Sequence, residues 1–312
     1  MIKLNGYTVD FKKFPNNESF ADMIYDYPSV EKDNIILFKF EGDEEIFHLT
    51  CVKDFVDNNW PTKACHLVMP YIPYSRMDRQ EEKRLFTLKT FAKIINSMNF
   101  ASVTVMEPHS EVSVALIDKV KVVNKSAELA LEAMRDVLGL TGSAWLQPSY
   151  GYEEKVSRLS FNLEGLLGLA EVDGVYLVYP DAGAEKRYRK QIKYGKVLTC
   201  SKDRDFNTGK INSIVVNGAD KAQDCKIAII VDDLSSRGGT FSGAASAIRA
   251  AIPNIEKIIL CVTHCENTIF DGTVLSGTEI DKVYTTNSII TEPSYTEVLN
   301  FDRNKLVVKK VF

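Results

Sequence analysis

A short segment rich in chemical groups follows the apolar run at residues 227–231 and precedes a predicted helix. It begins with Asp232 and Asp233 and continues with serines, an arginine, two glycines and a threonine. Carboxylates accept hydrogen bonds from the vicinal hydroxyls of a sugar, or hold Mg²⁺ through water. Glycines allow close backbone approach, and the free N–H groups of a helix N-terminus favour a phosphate. The segment therefore predicts a site for a phosphorylated sugar. The residues of this predicted site are Asp232, Asp233, Ser235, Ser236, Arg237, Gly238, Gly239 and Thr240.

Other interpretations of this segment are less suitable. It contains neither the G-x-x-x-x-G-K-[ST] motif of a P-loop nor the G-x-G-x-x-G motif of a dinucleotide site. A solvated turn with ordinary helix caps is the structural alternative. Two acids and Gly-Gly-Thr directly after a buried strand argue against that alternative.

Strand and helix patterns alternate along the chain, which predicts an α/β fold with parallel sheets. Continuous apolar runs such as residues 227–231 are typical of strands covered on both faces. We predict strands over residues 35–40, 66–69, 102–106, 175–178, 196–200, 226–231 and 257–262. We predict helices over residues 84–98, 126–138, 184–193 and 241–251.

The length and composition favour two domains and exclude several function classes. A chain of 312 residues exceeds one typical core. The loop-like composition of residues 141–160 places the boundary near residue 140, between domains over 1–140 and 141–290. With a net charge of −4 and no basic block, no nucleic-acid partner is expected. The apolar runs are too short for a membrane span. Six cysteines without C-x-x-C spacing predict reduced thiols and a cytoplasmic protein.

The segment after residue 231 resembles the ribose-phosphate-binding loop of two families. These are the type I phosphoribosyltransferases and the ribose-phosphate pyrophosphokinases, which synthesise 5-phosphoribosyl diphosphate (PRPP). Their loop has two acids, followed by an acid, Thr, a small residue, Gly and Thr. Ser236 and Arg237 stand where the families usually have Asp and Thr. The resemblance implies that this loop binds ribose 5-phosphate.

Two segments in the first half resemble the ATP-binding blocks of the pyrophosphokinases. In "KFPNNESF", residues 13–20, Phe14, Asn16 and Glu18 match residues that meet adenine. In residues 68–84, Arg76, Asp78 and Arg79 match a block whose arginines neutralise triphosphate charge. Met77 replaces the usual Gln of this block. Without the resemblance, the first segment would be a polar turn, whereas the second suits a solvated charged face and a phosphate-binding role equally well.

Two further segments resemble the metal-binding blocks of the family. In residues 103–118, His109 matches a histidine that contacts ATP and metal, and Asp118 matches an acid assigned to metal. In "VYPDAGAEKRYRK", residues 178–190, Asp181 matches an acid that holds Mg²⁺ and the ribose phosphate. A lone histidine is more often structural, and the basic residues after Asp181 also suit a solvated helix face.

Residues 199–214 resemble the mobile catalytic loop of the family, where Lys202 and Arg204 match its Lys-x-Arg. Phosphoryl transfer requires positioning and charge neutralisation from the protein, and these two cations would supply both. The structural alternative is an exposed hairpin. The strand at "CVTHC" also resembles the family, and we expect its His264 to be structural.

Together, the resemblance implies two tandem phosphoribosyltransferase-type, Rossmann-like domains. It places the C-terminal segment, residues 291–312, back on the first domain. The implied reaction converts ATP and ribose 5-phosphate to AMP and PRPP for nucleotide biosynthesis, with Mg²⁺ as cofactor. A homo-oligomer, either a dimer or a hexamer, is also implied.

Two alternatives remain at the level of sequence. A phosphoribosyltransferase would share the loop near Asp232, but it would lack the ATP-like blocks of the first half. A non-catalytic regulatory subunit would share the fold. Retention of His109, Lys202 and Arg204 argues against such a subunit, whereas the changes at Met77, Ser236 and Arg237 favour it.

Overall fold

The computed structural model describes residues 1–23, 33–81, 83–139, 172–204, 211–291 and 302–311. For residues 202–204, 211, 212 and 303 it describes the backbone alone. These residues form two compact units. Residues 1–123 form the first unit, and the second unit begins at Asn124.

The first unit contains a six-stranded sheet in the order β2-β1-β5-β6-β7-β8. Strands β5 to β8 are parallel, and β1 and β2 extend the sheet in antiparallel fashion. A separate hairpin is formed by β3 and β4. The strands are β1 (Ile2–Leu4), β2 (Tyr7–Val9), β3 (Phe11–Lys13), β4 (Ser19–Ala21), β5 (Asn34–Phe38), β6 (Cys65–Met69), β7 (Ser102–Met106) and β8 (Val120–Val123).

Helices α1 (Glu44–Asn59), α2 (Thr87–Ser97) and α3 (Glu111–Leu116) complete the first unit. Helix α2 confirms the helix predicted over residues 84–98, because its buried positions recur at helical spacing. All five residues of β5 and all five of β7 are buried, as expected for central parallel strands.

The second unit contains a seven-stranded sheet in the order β11-β10-β9-β12-β13-β14-β15. Only the β10–β11 pair is antiparallel among the described strand pairs of this sheet. The strands are β9 (Val175–Tyr179), β10 (Val197–Arg204), β11 (Ile211–Asn217), β12 (Ile227–Ser235), β13 (Lys257–Cys265), β14 (Lys282–Thr286) and β15 (Leu306–Lys309). The helices are α4 (Ser126–Val137), α5 (Ala182–Tyr188), α6 (Gly239–Ala251) and α7 (Thr273–Ser276).

Helix α4 packs on the second sheet, which differs from the predicted boundary near residue 140. Its Leu129 and Ala133 lie in one core with Leu177 and Ile259. Its Asp136 accepts hydrogen bonds from two side chains of β14, Lys282 Nζ and Tyr284 Oη. The division between the units therefore falls before α4. The loop-like residues 141–160 lie outside the described residues.

The described end of the chain also differs from the expectation. Strand β15 pairs in parallel with β14, in register from Val283 with Leu306 to Thr286 with Lys309. Residues 302–311 therefore complete the second sheet, whereas the expectation had placed the C-terminal segment on the first domain. Residues 124–139 also pack on this sheet. The second unit therefore includes one segment before and one segment after the domain predicted over residues 141–290.

Helix α5 begins at Ala182 and ends at Tyr188. It is therefore shorter than the helix predicted over residues 184–193. Among the described residues, no helix has both the length and the apolar character that a membrane span requires. All six cysteines are free thiols, and five of them are buried.

Candidate functional site

The predicted sugar-phosphate residues lie at the carboxyl edge of the second sheet. Strand β12 continues through Asp232 and Asp233 to Ser235, so the two acids belong to the end of the strand and not to the loop. Gly238 follows and caps helix α6. In parallel sheets, ligands bind at this edge, next to the N-termini of the following helices. The segment therefore spans a strand end and a helix start, as the sequence analysis expected, and its role as a sugar-phosphate site stays a prediction.

Gly238 has a conformation and a contact that only glycine accommodates. Its φ is +77°, and an added Cβ would lie 2.0 Å from Val274 Cγ2. Its carbonyl accepts the N–H groups of Phe241 and Ser242 and so begins the helix. The N–H groups of Gly239 and Thr240 precede these bonds and lie at the positive end of the helix dipole, a position that suits a phosphate. Gly239 has open space around its missing Cβ.

The loop between β12 and α6 is held by the segment that follows β13. The Glu266 N–H donates to Ser235 O at 2.9 Å. The Ser236 and Thr268 hydroxyls are hydrogen-bonded at 3.0 Å. A Cβ on Gly272 would lie 1.9 Å from Arg237 O, so this backbone approach also requires glycine. The loop is therefore fixed by neighbours that the sequence pattern had not singled out.

Asp232 and Asp233 have different electrostatic surroundings. Asp233 is buried, and its Oδ1 lies 3.0 Å from Arg187 Nη1 of helix α5. Burial alone would lower the pKa of Arg187, but the charge of Asp233, the contact with Tyr188 and the charge of Asp232 together outweigh this effect and raise it. Burial, followed by repulsion from Asp233, raises the pKa of Asp232 well above its ordinary value. The pair thus combines one carboxylate neutralised by a cation with one that holds its proton more tightly.

Arg187 is a site residue that the sequence interpretation missed. The basic run after Asp181 was also compatible with a solvated face, but the Arg187 side chain is only 26% exposed. Its guanidinium lies over the ring of the buried Tyr188. Its helical position, six residues after Asp181, was the available signal, because this position faces the strand that carries Asp233.

Asp181 lies just beyond the end of β9 and caps helix α5. Its Oδ1 accepts the Ala184 N–H at 3.0 Å, which uses one acceptor position of the carboxylate. Its charge also contributes to the raised pKa of Asp232. Asp181 and Asp232 therefore lie near each other at the carboxyl edge, although they come from separate strands.

These carboxylates fit Mg²⁺, which prefers oxygen ligands and is commonly held by one or two carboxylates together with substrate phosphates. Among the described residues there is no group of three or more His, Cys, Asp or Glu side chains arranged to hold a metal by themselves. These carboxylates therefore fit a Mg²⁺ ion that is also coordinated by a substrate phosphate. Asp181 and Asp232 are the side chains of this unit that match such a metal.

Lys202 and Arg204 lie on the last residues of β10. Lys202 pairs with Ile214 and Arg204 with Ile211 on β11, with a register shift after Asp203. The antiparallel pair confirms a hairpin-like arrangement of these two strands. Residues 205–210, the connecting part of the predicted catalytic loop, lie outside the described residues.

Four predicted residues share the carboxyl edge of the first sheet. Arg76, Asp78 and Arg79 follow β6, and His109 follows β7. Arg79 Nε lies 3.0 Å from Asp78 Oδ1, and the Arg79 side chain is 76% exposed. An exposed cation at this edge suits a solvent-facing phosphate chain.

Asp118 lies at the other edge of the same sheet. Val103 pairs with Val120 and Met106 with Val123, so β7 and β8 run in parallel. His109 follows the end of β7, whereas Asp118 precedes the start of β8, and its N–H donates to Asn96 Oδ1 at 3.0 Å. The structure does not bring His109 and Asp118 together. The expected metal role of Asp118 therefore has no geometric support, because a parallel pair puts these positions at opposite strand ends.

The predicted adenine residues lie on the β3–β4 hairpin. The Phe14 N–H donates to Glu18 O, and Asn16 Oδ1 accepts the Glu18 N–H at 3.2 Å. The Phe14 ring stacks on Phe20 with centroids 4.3 Å apart and is 49% exposed. The hairpin borders a pocket of about 490 Å³ lined by Phe14, Asn17, Glu18, Ser19, Glu44, Phe47 and His48.

Three of these lining residues come from helix α1, which the sequence interpretation did not predict. His48 is buried and stacks on Phe11 with ring centroids 3.8 Å apart. Burial lowers the pKa of His48. Asn16 does not line the pocket, because its side chain is engaged by the turn itself.

His264 has the structural environment that was expected for it. It is buried, and its Nδ1 lies 2.8 Å from Ser288 Oγ. The Ser288 hydroxyl also donates to the Thr263 carbonyl. These contacts fasten the ends of β13 and β14 to each other.

Comparison with known proteins finds similarity to ribose-phosphate pyrophosphokinases over almost the whole chain. No protein-family model matches it. The ribose-phosphate pyrophosphokinase of Sulfurisphaera tokodaii is 26% identical over 311 residues, covering 97% of this chain and 91% of the relative. That of Sulfolobus acidocaldarius is 25% identical, with the same coverage. The resemblance to this family is therefore confirmed, and the chain is a divergent relative of these proteins.

A solved structure shares the fold. The phosphoribosylpyrophosphate synthetase from Mycobacterium smegmatis superposes with a TM-score of 0.66 at 16% identity, covering 97% of this chain and 86% of that one. The predicted fold class, α/β with two mainly parallel phosphoribosyltransferase-type sheets, is confirmed.

Proposed function

We propose that this protein is a Mg²⁺-dependent ribose-phosphate diphosphokinase. The C1 hydroxyl of ribose 5-phosphate attacks the β-phosphorus of ATP, the diphosphoryl group moves as a unit, and AMP leaves. The observation that carries the proposal is the combination of paired acids and a glycine-capped helix N-terminus, Asp232 to Thr240, at the carboxyl edge of the second sheet. The similarity to ribose-phosphate pyrophosphokinases along 97% of the chain supports it.

The sugar phosphate is assigned to the second unit. The N–H groups of Gly239 and Thr240 bind the 5-phosphate, because they begin helix α6. Asp232 accepts hydrogen bonds from the ribose hydroxyls. Arg187 neutralises Asp233 beside it, so that the phosphate does not meet two uncompensated negative charges.

ATP is assigned to the first unit. Phe14 offers an exposed aromatic face for the base, and Glu18 offers a carboxylate at the rim of the same pocket. Arg76, Arg79 and His109 lie at the carboxyl edge, where the cations suit the phosphate chain. Lys202 and Arg204 neutralise the charge that develops on the transferring group.

In the second unit, Mg²⁺ would be held by Asp181 and Asp232. In the first unit, His109 is the residue proposed to contact the metal of bound ATP. When bound, Mg²⁺ supplies charge withdrawal from the phosphates.

Product analysis tests the proposal. Purified protein is mixed with ATP, ribose 5-phosphate and Mg²⁺, beside a Lys202→Ala variant. A matched control is Lys221→Ala, at an exposed lysine of the same unit. We expect equal amounts of AMP and PRPP from the wild type and Lys221→Ala, and a rate lower by about a hundredfold or more in Lys202→Ala. The absence of AMP across a range of phosphate and Mg²⁺ concentrations would contradict the enzyme and favour a non-catalytic regulatory subunit.

A further inference from the structure

The segment after β13 brings a carboxylate to the ribose-phosphate loop from outside it. Between Leu234 and Thr240 the loop itself carries no acid. Thr268 Oγ1 donates to Glu266 Oε2 at 3.2 Å, and Thr268 Oγ1 lies 3.0 Å from Ser236 Oγ. A continuous chain of hydrogen bonds therefore joins the loop to the Glu266 carboxylate.

The direction of this chain follows from the number of protons. An ionised carboxylate only accepts, so the single hydroxyl proton of Thr268 is directed to Glu266. Thr268 Oγ1 can then only accept from Ser236, and the Ser236 proton is directed to Thr268. The lone pairs of Ser236 Oγ remain for a ligand. Ser236 is thereby oriented as an acceptor, which suits a hydroxyl donor and does not suit a fully ionised phosphate oxygen.

The hydrogen bonds that join Glu266, Thr268 and Ser236 lie in a part of the unit where backbone contacts fix both segments. The Glu266 N–H is bonded to Ser235 O, and Gly272 meets the backbone of Arg237. Thr268 lies in the short 3₁₀ helix over Asn267–Asp271, which places its hydroxyl against Ser236. Because both ends are fixed, the hydroxyl of Ser236 does not have to be ordered when a ligand binds.

We propose that Glu266, acting through Thr268, orients Ser236 to accept a hydrogen bond from a sugar hydroxyl of the ligand. Glu266 and Thr268 are thus positioning residues, and they give the loop the negative character that Ser236 by itself lacks. The inference rests on the proposed function for the identity of the sugar phosphate. According to this proposal, Gly239 and Thr240 bind the phosphate, whereas Ser236 selects the sugar.

The test is calorimetric titration of the full chain, without ATP, with ribose 5-phosphate and separately with inorganic phosphate. Thr268→Val removes the hydroxyl and keeps the shape, and Glu266→Gln removes the charge. We expect both variants to weaken ribose 5-phosphate binding by about ten- to a hundredfold. We expect phosphate binding to change by less than about twofold, because a phosphate oxygen does not use the acceptor.

Three further variants separate positioning from loss of structure. Thr268→Ser keeps the hydroxyl and should retain ribose 5-phosphate affinity. Asn267→Ala changes the same 3₁₀ helix, where Asn267 contacts Thr291 but takes no part in the chain, and should also retain it. The double variant Ser236→Asp with Glu266→Gln moves the carboxylate into the loop and should recover affinity relative to Glu266→Gln alone.

The outcomes distinguish this inference from the proposed function. Normal ribose 5-phosphate affinity in Thr268→Val, or equal losses for ribose 5-phosphate and phosphate, would overturn the inference even if PRPP is formed. The expected pattern of binding without PRPP formation would support the inference and contradict the proposed function. Failure of the wild type to bind ribose 5-phosphate would contradict both.

Discussion

Arg187 Nη1 lies 3.0 Å from Asp233 Oδ1, and this ion pair joins helix α5 to the acidic end of β12. The Asp233 side chain is 5% exposed, so its charge has little solvent to stabilise it. The pair therefore compensates the buried Asp233 carboxylate and also sets the charge of the proposed sugar site.

Arg187→Met should destabilise the protein by about 2–4 kcal/mol, because it leaves the Asp233 carboxylate buried without its cation. The measurement is the free energy of unfolding in urea at neutral pH. The matched control is Arg189→Met, since Arg189, the C-cap residue of the same helix, pairs with Glu185 but is 65% exposed. We expect that control to change stability by less than about 1 kcal/mol. Equal effects of the two substitutions would show that Arg187 contributes no more than a surface pair.

Gly238→Ala should destabilise the protein by about 3 kcal/mol or more, because a methyl group meets Val274 and the positive φ is strained. It should also abolish ribose 5-phosphate binding. Gly239→Ala is the control for stability, because no heavy atom lies within 4 Å of its added Cβ. Adding Val274→Ala to Gly238→Ala should recover only the part of the loss that comes from the clash. Thermal unfolding of the four proteins checks this, and full stability in Gly238→Ala would contradict it.

His109→Ala and Asp118→Ala should differ in their effect on activity. His109 lies at the carboxyl edge with the predicted ATP residues, whereas Asp118 lies at the opposite edge. We expect the KM for MgATP to rise about tenfold or more in His109→Ala and to stay within about twofold in Asp118→Ala. The measurement is the rate of AMP formation at varied MgATP. A large loss in Asp118→Ala would restore the metal role expected from the sequence.

Asp136→Asn should make stability less dependent on acid pH. Hydrogen bonds from Lys282 and Tyr284 lower the pKa of Asp136 below its unfolded value. Its ionised form therefore contributes stability above the unfolded pKa, and this contribution is lost as the pH falls through the lower folded pKa. We expect Asp136→Asn to lower the Tm at pH 7, with the difference from wild type shrinking below about pH 4. A constant difference down to acid pH would indicate loss of packing in place of loss of charge.

The sequence predicted two kinds of element well: strands that are buried on both faces, and helices whose buried residues recur at helical spacing. Strand β7 was predicted with its observed bounds, since all five of its residues are buried and apolar runs of this kind need no partner to be recognised. Helix α1 was missed because its buried face includes His48 and Lys53. Lys53 is buried because it pairs with Asp57 and lies over the ring of Phe100, contacts that no local pattern records.

The sequence by itself determined the chemistry of the candidate site. The order of strand, two acids, Gly-Gly and helix is local, and the geometry of a strand end and a helix start follows from it. The same holds for the αL conformation at Gly238, because glycine is the residue that adopts it without strain.

Only the tertiary structure decided which side chains complete this site and which do not. Arg187, Glu266 and Thr268 reach the loop from other strands and helices, and Asp118 is removed from His109 by the direction of β8. It also decided that α4 and β15 belong to the second sheet. Such contacts depend on which strands become neighbours, and the periodicity of one segment contains no information on the neighbour it will meet.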